Sequence, residues 1–176
     1  MAATRSGEVT FKGKPIDLVG PKLKPGDKAP DFTCVGAGLT LVKLGDTAGK
    51  VRLFNVVPSL DTPVCNKQTR QFSEQLKALG DKVAAYTISL DMPFAQARWC
   101  ADAAVENVKN LSDLHDHSFG TQYGLLIQGL PVPLLARAVI VVGADDVVKY
   151  VELVPEIAQE PNYDPAIAAL KEAAGA

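Results

Sequence analysis

The chain has 176 residues, of which 47% are hydrophobic and 22% charged, and its 18 Lys and Arg nearly balance its 20 Asp and Glu. A chain of this length buries about 70% of its unfolded surface, so we expect a single domain over residues 1–176, and its three cysteines are too few for a disulfide scaffold. Neither positive nor negative charges form a long block, so we expect no binding to nucleic acid or to a membrane surface. The first residues lack the apolar core of a signal peptide, and no apolar run is long enough to span a membrane. We therefore predict a cytoplasmic protein.

The amino-terminal part of the chain predicts a β-hairpin and then an irregular connection. The segment TFKGKPIDLVG is typical of two short strands around Gly13 and Lys14. The following segment is rich in proline and glycine, which indicates a loop. After DFTCV, the stretch LTLVKLGDTAGK predicts a short strand and a turn.

The next segment predicts a buried strand that leads into a helix. Val51 to Val57 is an apolar, β-branched run of strand length, and Pro58 ends it because proline cannot donate to a sheet ladder. Apolar residues then recur at spacings of three, four and seven, as in an amphipathic helix. Thr62 suits the N-cap and Pro63 the first helical position, so Cys65 would be the third residue of this helix.

The predicted place of Cys65 favours a reactive thiol. The N–H groups of a first helical turn have no partner within the helix, and the helix dipole is positive there, so a thiolate is stabilised. An ordinary thiol is only about 3% ionised at pH 7, and a site that favours the thiolate raises its reactivity. The alternative is a buried cysteine that acts as a small hydrophobic residue.

The rest of the chain predicts alternating strands and helices. The predicted elements are a strand Lys82–Leu90, a helix from about Pro93 through Val108, a strand near Val108–Leu111, a short helix around Phe119–Tyr123, the strands RAVIVV and VVKYVEL around the turn GADD, and a closing helix DPAIAALKEAA. This order places a parallel strand pair with its crossover helix beside an antiparallel edge. It predicts an α/β protein with a thioredoxin-like fold, in which helices cover both faces of a central mixed sheet and a β-hairpin precedes it.

Several motifs in this order resemble those of the peroxiredoxins. Pro58, Thr62 and Cys65 match the signature Pro-x-x-x-Thr-x-x-Cys, and APDF resembles the usual entry segment of that family. The early hairpin, the run LDMPFAQARWC ending at Cys100, and LLARAVIVV containing Arg137 are similar to the bacterial thiol peroxidase branch of the atypical two-cysteine peroxiredoxins. The resemblance extends from about residue 8 to residue 170.

The resemblance implies roles for four residues around the reacting sulfur. Cys65 would attack a hydroperoxide and become a sulfenic acid. Thr62 would hydrogen-bond the thiolate or the peroxide, or serve as the N-cap alone, and Pro58 would shield the pocket, or only shape the turn. Arg137 would stabilise the thiolate and orient the peroxide; the alternative is a strand-end arginine that extends to solvent.

The resemblance also implies how the sulfenic acid is cleared. Cys100 would be the resolving cysteine and form a disulfide with Cys65 in the same subunit, with a buried helix cysteine as the alternative. If the two Cα atoms are more than about 7 Å apart, the disulfide requires local unwinding. The family further implies thioredoxin as the reductant, a homodimer, hydrogen peroxide and organic hydroperoxides as substrates, and no metal, haem or flavin.

The remaining candidate residues predict structural roles. Cys34 matches no family function and is expected to be buried, while His115 and His117 are expected in a solvated loop because no further metal-binding spacing accompanies them. Two other activities remain as alternatives. A thioredoxin-like disulfide exchanger would need the CxxC motif, which this sequence lacks, whereas a redox sensor could use Cys65 and Cys100 without turnover.

Overall fold

The computed structural model describes residues 2–176, which form two β-sheets and four α-helices. The strands are β1 Thr4–Phe11, β2 Lys14–Val19, β3 Thr33–Val35, β4 Leu41–Lys43, β5 Val51–Val56, β6 Val83–Ser89, β7 Lys109–Ser112, β8 Leu126–Gln128, β9 Leu134–Leu135, β10 Ala138–Val142 and β11 Val148–Leu153. The helices are α1 Pro63–Leu76, α2 Pro93–Ala103, α3 Ser118–Gln122 and α4 Tyr163–Ala174. Short 3₁₀ turns occur at Ala37–Leu39, Leu44–Thr47 and Gly80–Lys82.

The larger sheet has seven strands in the order β11-β10-β5-β6-β7-β3-β4. Strands β5, β6 and β7 run parallel, and α1 and α2 are the crossovers between them. The sequence predicts one such parallel pair with its crossover, and the structure has two. Strand β10 pairs antiparallel with β5, and β11 pairs antiparallel with β10. Every residue of β5 is buried, because this central strand is covered on both faces.

Two apolar clusters lie on opposite faces of this sheet. Leu53 of β5 packs in one cluster with residues of α1, α2 and α4. Its neighbour Phe54 packs in the other cluster with Phe119 of α3 and with residues of the second sheet. Successive residues of a strand point to opposite faces, so β5 joins the two clusters. The carboxyl ends of the parallel strands, where β5 leads into α1, are where an α/β sheet commonly binds its ligand.

The second sheet has four strands in the order β1-β2-β8-β9, and the predicted hairpin forms half of it. The turn lies at Lys12 and Gly13, one residue earlier than predicted, and Lys14 already belongs to β2. Lys12 has φ +51° and Gly13 has φ +75°, as a two-residue hairpin turn with positive φ at both positions requires. Strands β8 and β9 complete this sheet and were not predicted from the sequence.

The helix predicted from Pro93 through Val108 is shorter than expected. It ends at Ala103, because Ala104 adopts a left-handed conformation with φ +52° and stops the helical hydrogen bonds. The following residues lead directly into β7. Among residues 2–176, no helix is long and apolar enough to cross a membrane.

Candidate active site

Cys65 lies at the start of α1, beyond the carboxyl end of β5. Thr62 is the N-cap with an extended backbone, φ −101° and ψ 146°, and Pro63 is the first helical residue. Cys65 is therefore the third residue of the helix, and its side chain is completely buried. The predicted placement of the thiol at a helix amino terminus is present in the structure. That position favours a negatively charged sulfur.

A buried arginine contacts the sulfur of Cys65. Arg137 directly precedes β10 and is only 2% exposed. Its Nη2 donates to Cys65 Sγ at 3.2 Å, its Nη1 to Gln68 Oε1 at 2.7 Å, and its Nε to the main-chain oxygen of Ile157 at 2.8 Å. All three guanidinium nitrogens therefore have acceptors. A cation held this firmly beside the sulfur can stabilise a thiolate and the charge that develops when it reacts.

Gln68 is a site residue that the sequence analysis missed. It lies one helical turn after Cys65 and is fully buried. Its Oε1 accepts from Arg137, and its Nε2 donates to Asn55 Oδ1, so the amide joins the arginine to the central strand. Asn55 in turn donates to the hydroxyls of Thr69 and Thr87. An amide on the apolar face of an amphipathic helix is the sequence signal that could have identified it.

The structure places Thr62 and Pro58 near the site in different ways. Pro58 is buried in the loop that connects β5 to α1, a position from which it could shield the pocket of Cys65 from solvent. Thr62 is exposed, and its hydroxyl donates to the main-chain oxygen of Ser59 at 3.1 Å. That hydroxyl makes neither a capping bond to the helix nor a bond to the sulfur. Thr62 thus occupies the predicted N-cap position without the predicted side-chain contact.

Asp91, which the sequence analysis did not single out, holds the loop before Cys65. Its Oδ1 accepts from the hydroxyl of Ser59 at 2.8 Å. Its Oδ2 accepts at 2.8 Å from the main-chain N–H of Leu60 and from the hydroxyl of Ser89. Asp91 also lies two residues before α2, so one carboxylate connects the loop before Cys65 with the beginning of the helix that carries Cys100. Carboxylates at the ends of parallel strands are a signal for such a position.

Cys100 lies in the second half of α2 and is half-buried. It packs against the apolar cluster that contains Cys65, and burial raises the pKa of the Cys100 thiol. Arg70 in the middle of α1 donates to the main-chain oxygen of Ala103, which ties α1 to the carboxyl-terminal end of α2. All three cysteines are free thiols, so the structure shows the reduced protein.

Cys34 has a very different neighbour. It is completely buried in β3, and its Sγ lies 3.7 Å from Oδ1 of Asp113. Burial and the nearby carboxylate raise the pKa of Cys34, which keeps it a neutral thiol. His115 is exposed and His117 half-exposed in the segment between β7 and α3. Between residues 2 and 176 there is no cluster of three His, Cys, Asp or Glu side chains arranged to hold a metal ion.

Comparison with known proteins identifies the family. The sequence profile of the Redoxin family matches residues 24–167. The chain belongs to the redoxin family. It is 53% identical over 165 residues to a thiol peroxidase of Halalkalibacterium halodurans, covering 94% of this chain and 98% of the relative. A thiol peroxidase of Bacillus subtilis is 49% identical over 164 residues, covering 93% of this chain and 96% of the relative.

Solved structures support the same family. A peroxiredoxin-like protein from Aquifex aeolicus superposes with a TM-score of 0.88 at 40% identity, covering 96% of this chain and 98% of that protein. A thiol peroxidase from Chromobacterium violaceum shows the same fold with a TM-score of 0.84 at 23% identity, covering 93% and 95% of the two chains. The predicted thioredoxin-like fold and the resemblance to the thiol peroxidases are thus confirmed. This redoxin is a thiol-based peroxidase of the peroxiredoxin type.

Proposed function

We propose that this redoxin reduces hydrogen peroxide and organic hydroperoxides with Cys65 as the attacking group. The observation that carries the proposal is the 3.2 Å contact between Arg137 Nη2 and Cys65 Sγ at the start of α1. The thiolate attacks one oxygen of the peroxide, an S–O bond forms, and the O–O bond breaks. The other oxygen takes up the proton that the Cys65 thiol released on forming the thiolate and leaves as water or as an alcohol, and Cys65 becomes a sulfenic acid.

Arg137 supports this step electrostatically. Negative charge moves from the sulfur to the departing oxygen, and a guanidinium with several N–H groups can contact both. The fixed bonds to Gln68 and Ile157 hold Arg137 in place, so little reorganisation is needed during the reaction. Pro58 is proposed to shield the pocket. Thr62 is proposed to bind peroxide, for which its hydroxyl must rotate away from Ser59.

Cys100 is proposed to resolve the sulfenic acid within the same subunit. It packs against the cluster that contains Cys65, and its thiol is free. Thioredoxin would then reduce the Cys65–Cys100 disulfide and complete the cycle. A homodimer, a cytoplasmic location and one domain over the full length of the chain stay predictions.

Turnover in a coupled assay tests the proposal. Peroxide-dependent NADPH consumption is followed with thioredoxin and thioredoxin reductase. We expect no turnover for Cys65→Ser, because a hydroxyl is a poor nucleophile toward peroxide. Cys34→Ser is the matched control, because Cys34 is also a fully buried cysteine but lies beside Asp113 rather than Arg137. This variant should retain activity.

The same assay separates a peroxidase from a redox sensor. More than a few per cent of turnover in Cys65→Ser would contradict Cys65 as the attacking group. A wild-type protein that oxidises once and then consumes no further peroxide in the presence of reductant would instead be a sensor.

A further inference from the structure

Asn110 in β7 lies against the sulfur of Cys100 in α2. Its Nδ2 donates to Cys100 Sγ at 3.0 Å and to the main-chain oxygen of Gln96 at 3.3 Å. A carbonyl oxygen accepts hydrogen bonds and cannot donate, so the Gln96 contact fixes which end of the Asn110 amide is the nitrogen. A hydrogen-bond donor therefore faces the sulfur.

This donor favours the thiolate form of Cys100. A hydrogen bond to a charged acceptor is about twice as strong as one to a neutral acceptor, so the amide N–H stabilises the thiolate more than the thiol. Burial has the opposite effect, since it raises the pKa of Cys100. Over residues 2–176, Asn110 supplies the only hydrogen bond to this sulfur. Its amide is thus the local group that counteracts burial.

We propose that Asn110 is a catalytic residue of the resolving step, in which its amide N–H stabilises the Cys100 thiolate as it attacks the sulfenic acid of Cys65. This inference rests on the proposed function of Cys100. In the step an S–S bond forms between the two cysteines and the S–O bond of the sulfenic acid breaks. The departing hydroxide takes up the proton that Cys100 released, which gives water. The sulfur of Cys100 is oxidised and the sulfenic sulfur is reduced.

The expected size of the effect follows from two opposing terms. Loss of a hydrogen bond to a charged group lowers the thiolate fraction of Cys100 about tenfold. A more basic thiolate is also more nucleophilic, with a Brønsted slope of about 0.45, which restores about threefold of the rate. We therefore expect Asn110→Ala to slow disulfide formation about threefold.

Rapid-quench experiments with intact mass analysis test this expectation. Reduced protein is mixed with one equivalent of hydrogen peroxide, and sulfenic acid and disulfide are followed over time. In Asn110→Ala the sulfenic acid should persist about three times longer, and excess peroxide should convert more of Cys65 to sulfinic acid. Asn107→Ala is the matched control, because Asn107 bonds Ser73 and contacts no sulfur. It should form the disulfide at the wild-type rate.

A second measurement reports on Cys100 alone. In a Cys65→Ser background, iodoacetamide should alkylate Cys100 about three times more slowly when Asn110 is replaced by alanine. This readout does not depend on any movement between the two cysteines. It also shows the effect in a protein that cannot form the sulfenic acid.

The outcomes distinguish the inference from the proposed function. If wild type forms the Cys65–Cys100 disulfide but Asn110→Ala forms it as fast or faster, the inference is wrong and the proposed function stands. If Asn107→Ala slows the step as much as Asn110→Ala, the effect does not depend on the bond to the sulfur of Cys100, and the inference is also overturned. If wild type forms no Cys65–Cys100 disulfide, both fail.

Discussion

Replacing Arg137 with alanine is expected to slow the reaction of Cys65 with peroxide. The guanidinium donates to Cys65 Sγ at 3.2 Å, and the two side chains are only 2% and 0% exposed, so solvent screens the contact little. A hydrogen bond to a charged group contributes about 1.5–3 kcal/mol. Each 1.36 kcal/mol corresponds to a factor of ten in rate, so the second-order rate constant should fall about 10- to 150-fold.

The rate constant is measured under single-turnover conditions. Reduced protein is mixed with increasing peroxide, quenched in acid and analysed by intact mass, and the loss of the reduced form gives the rate. Arg137→Lys should fall between wild type and Arg137→Ala. Lysine keeps the charge but cannot reproduce the fixed fork that also contacts Gln68 and Ile157.

Arg52 provides a matched control for the loss of a buried arginine. It is completely buried near the beginning of β5, at the opposite end of that strand from α1 and Cys65, and it donates to the main-chain oxygens of Leu44 and Gly143. Arg52→Ala should destabilise the fold without slowing the first oxidation of the folded protein. An Arg137→Ala rate constant within about twofold of wild type, or an equal loss in Arg52→Ala, would refute the electrostatic role of Arg137.

One further change tests the site, and two test the fold away from it. Gln68→Leu should slow the first oxidation about tenfold, measured in the same way, because Arg137 loses the acceptor that orients it. Burial raises the pKa of Asp113 above its usual 3.8, so the folded state binds that proton more tightly than the unfolded state does. The stability of wild type relative to Asp113→Asn should therefore increase as the pH falls through the raised pKa toward 3.8. Urea unfolding at several pH values measures this difference. Gly124 has φ +67°, and a Cβ there would lie 1.8 Å from the main-chain oxygen of Pro21. Gly124→Ala should therefore lower the free energy of unfolding by about 2–4 kcal/mol. An unchanged urea midpoint would contradict this.

Local sequence signals were sufficient to place Cys65. A buried strand, a proline, an N-cap threonine and a second proline follow one another within a short segment, and each acts on its own neighbours in the chain. The position of Cys65 at the start of α1 can therefore be predicted without knowing the distant contacts, such as that of Asp91 with Leu60, that hold the preceding loop. The order of strands and helices follows in the same way from periodicity and crossover rules.

The partners of the sulfur atoms depend on distant contacts, which the sequence alone does not specify. Arg137 lies 72 residues from Cys65 and 69 residues from Gln68. The resemblance to a family suggested Arg137, but no motif pointed to Gln68 or Asn110. Their contacts with Arg137 and with Cys100 depend on the packing of α1 and α2 against the sheet.

The missed boundaries also have physical causes. Helix α2 ends where Ala104 adopts a left-handed conformation, and alanine gives no such signal, unlike glycine. Strands β8 and β9 contain three and two residues, too few for an alternating pattern to be recognised. They exist because β2 offers an edge on which β8 pairs.

The three cysteines show how neighbouring groups separate the chemistry of one residue type. Cys34 and Cys65 are both completely buried, so exposure does not distinguish them. The sulfur of Cys34 faces the carboxylate of Asp113, which opposes ionisation, whereas the sulfur of Cys65 faces the guanidinium of Arg137. Cys100 lies between these two cases, because its partner is the neutral amide of Asn110. The proposed mechanism needs one thiol that reacts first, one that reacts only with the product of the first, and a third that does not compete. The charge beside each sulfur supports the proposal that Cys65, Cys100 and Cys34 take these parts.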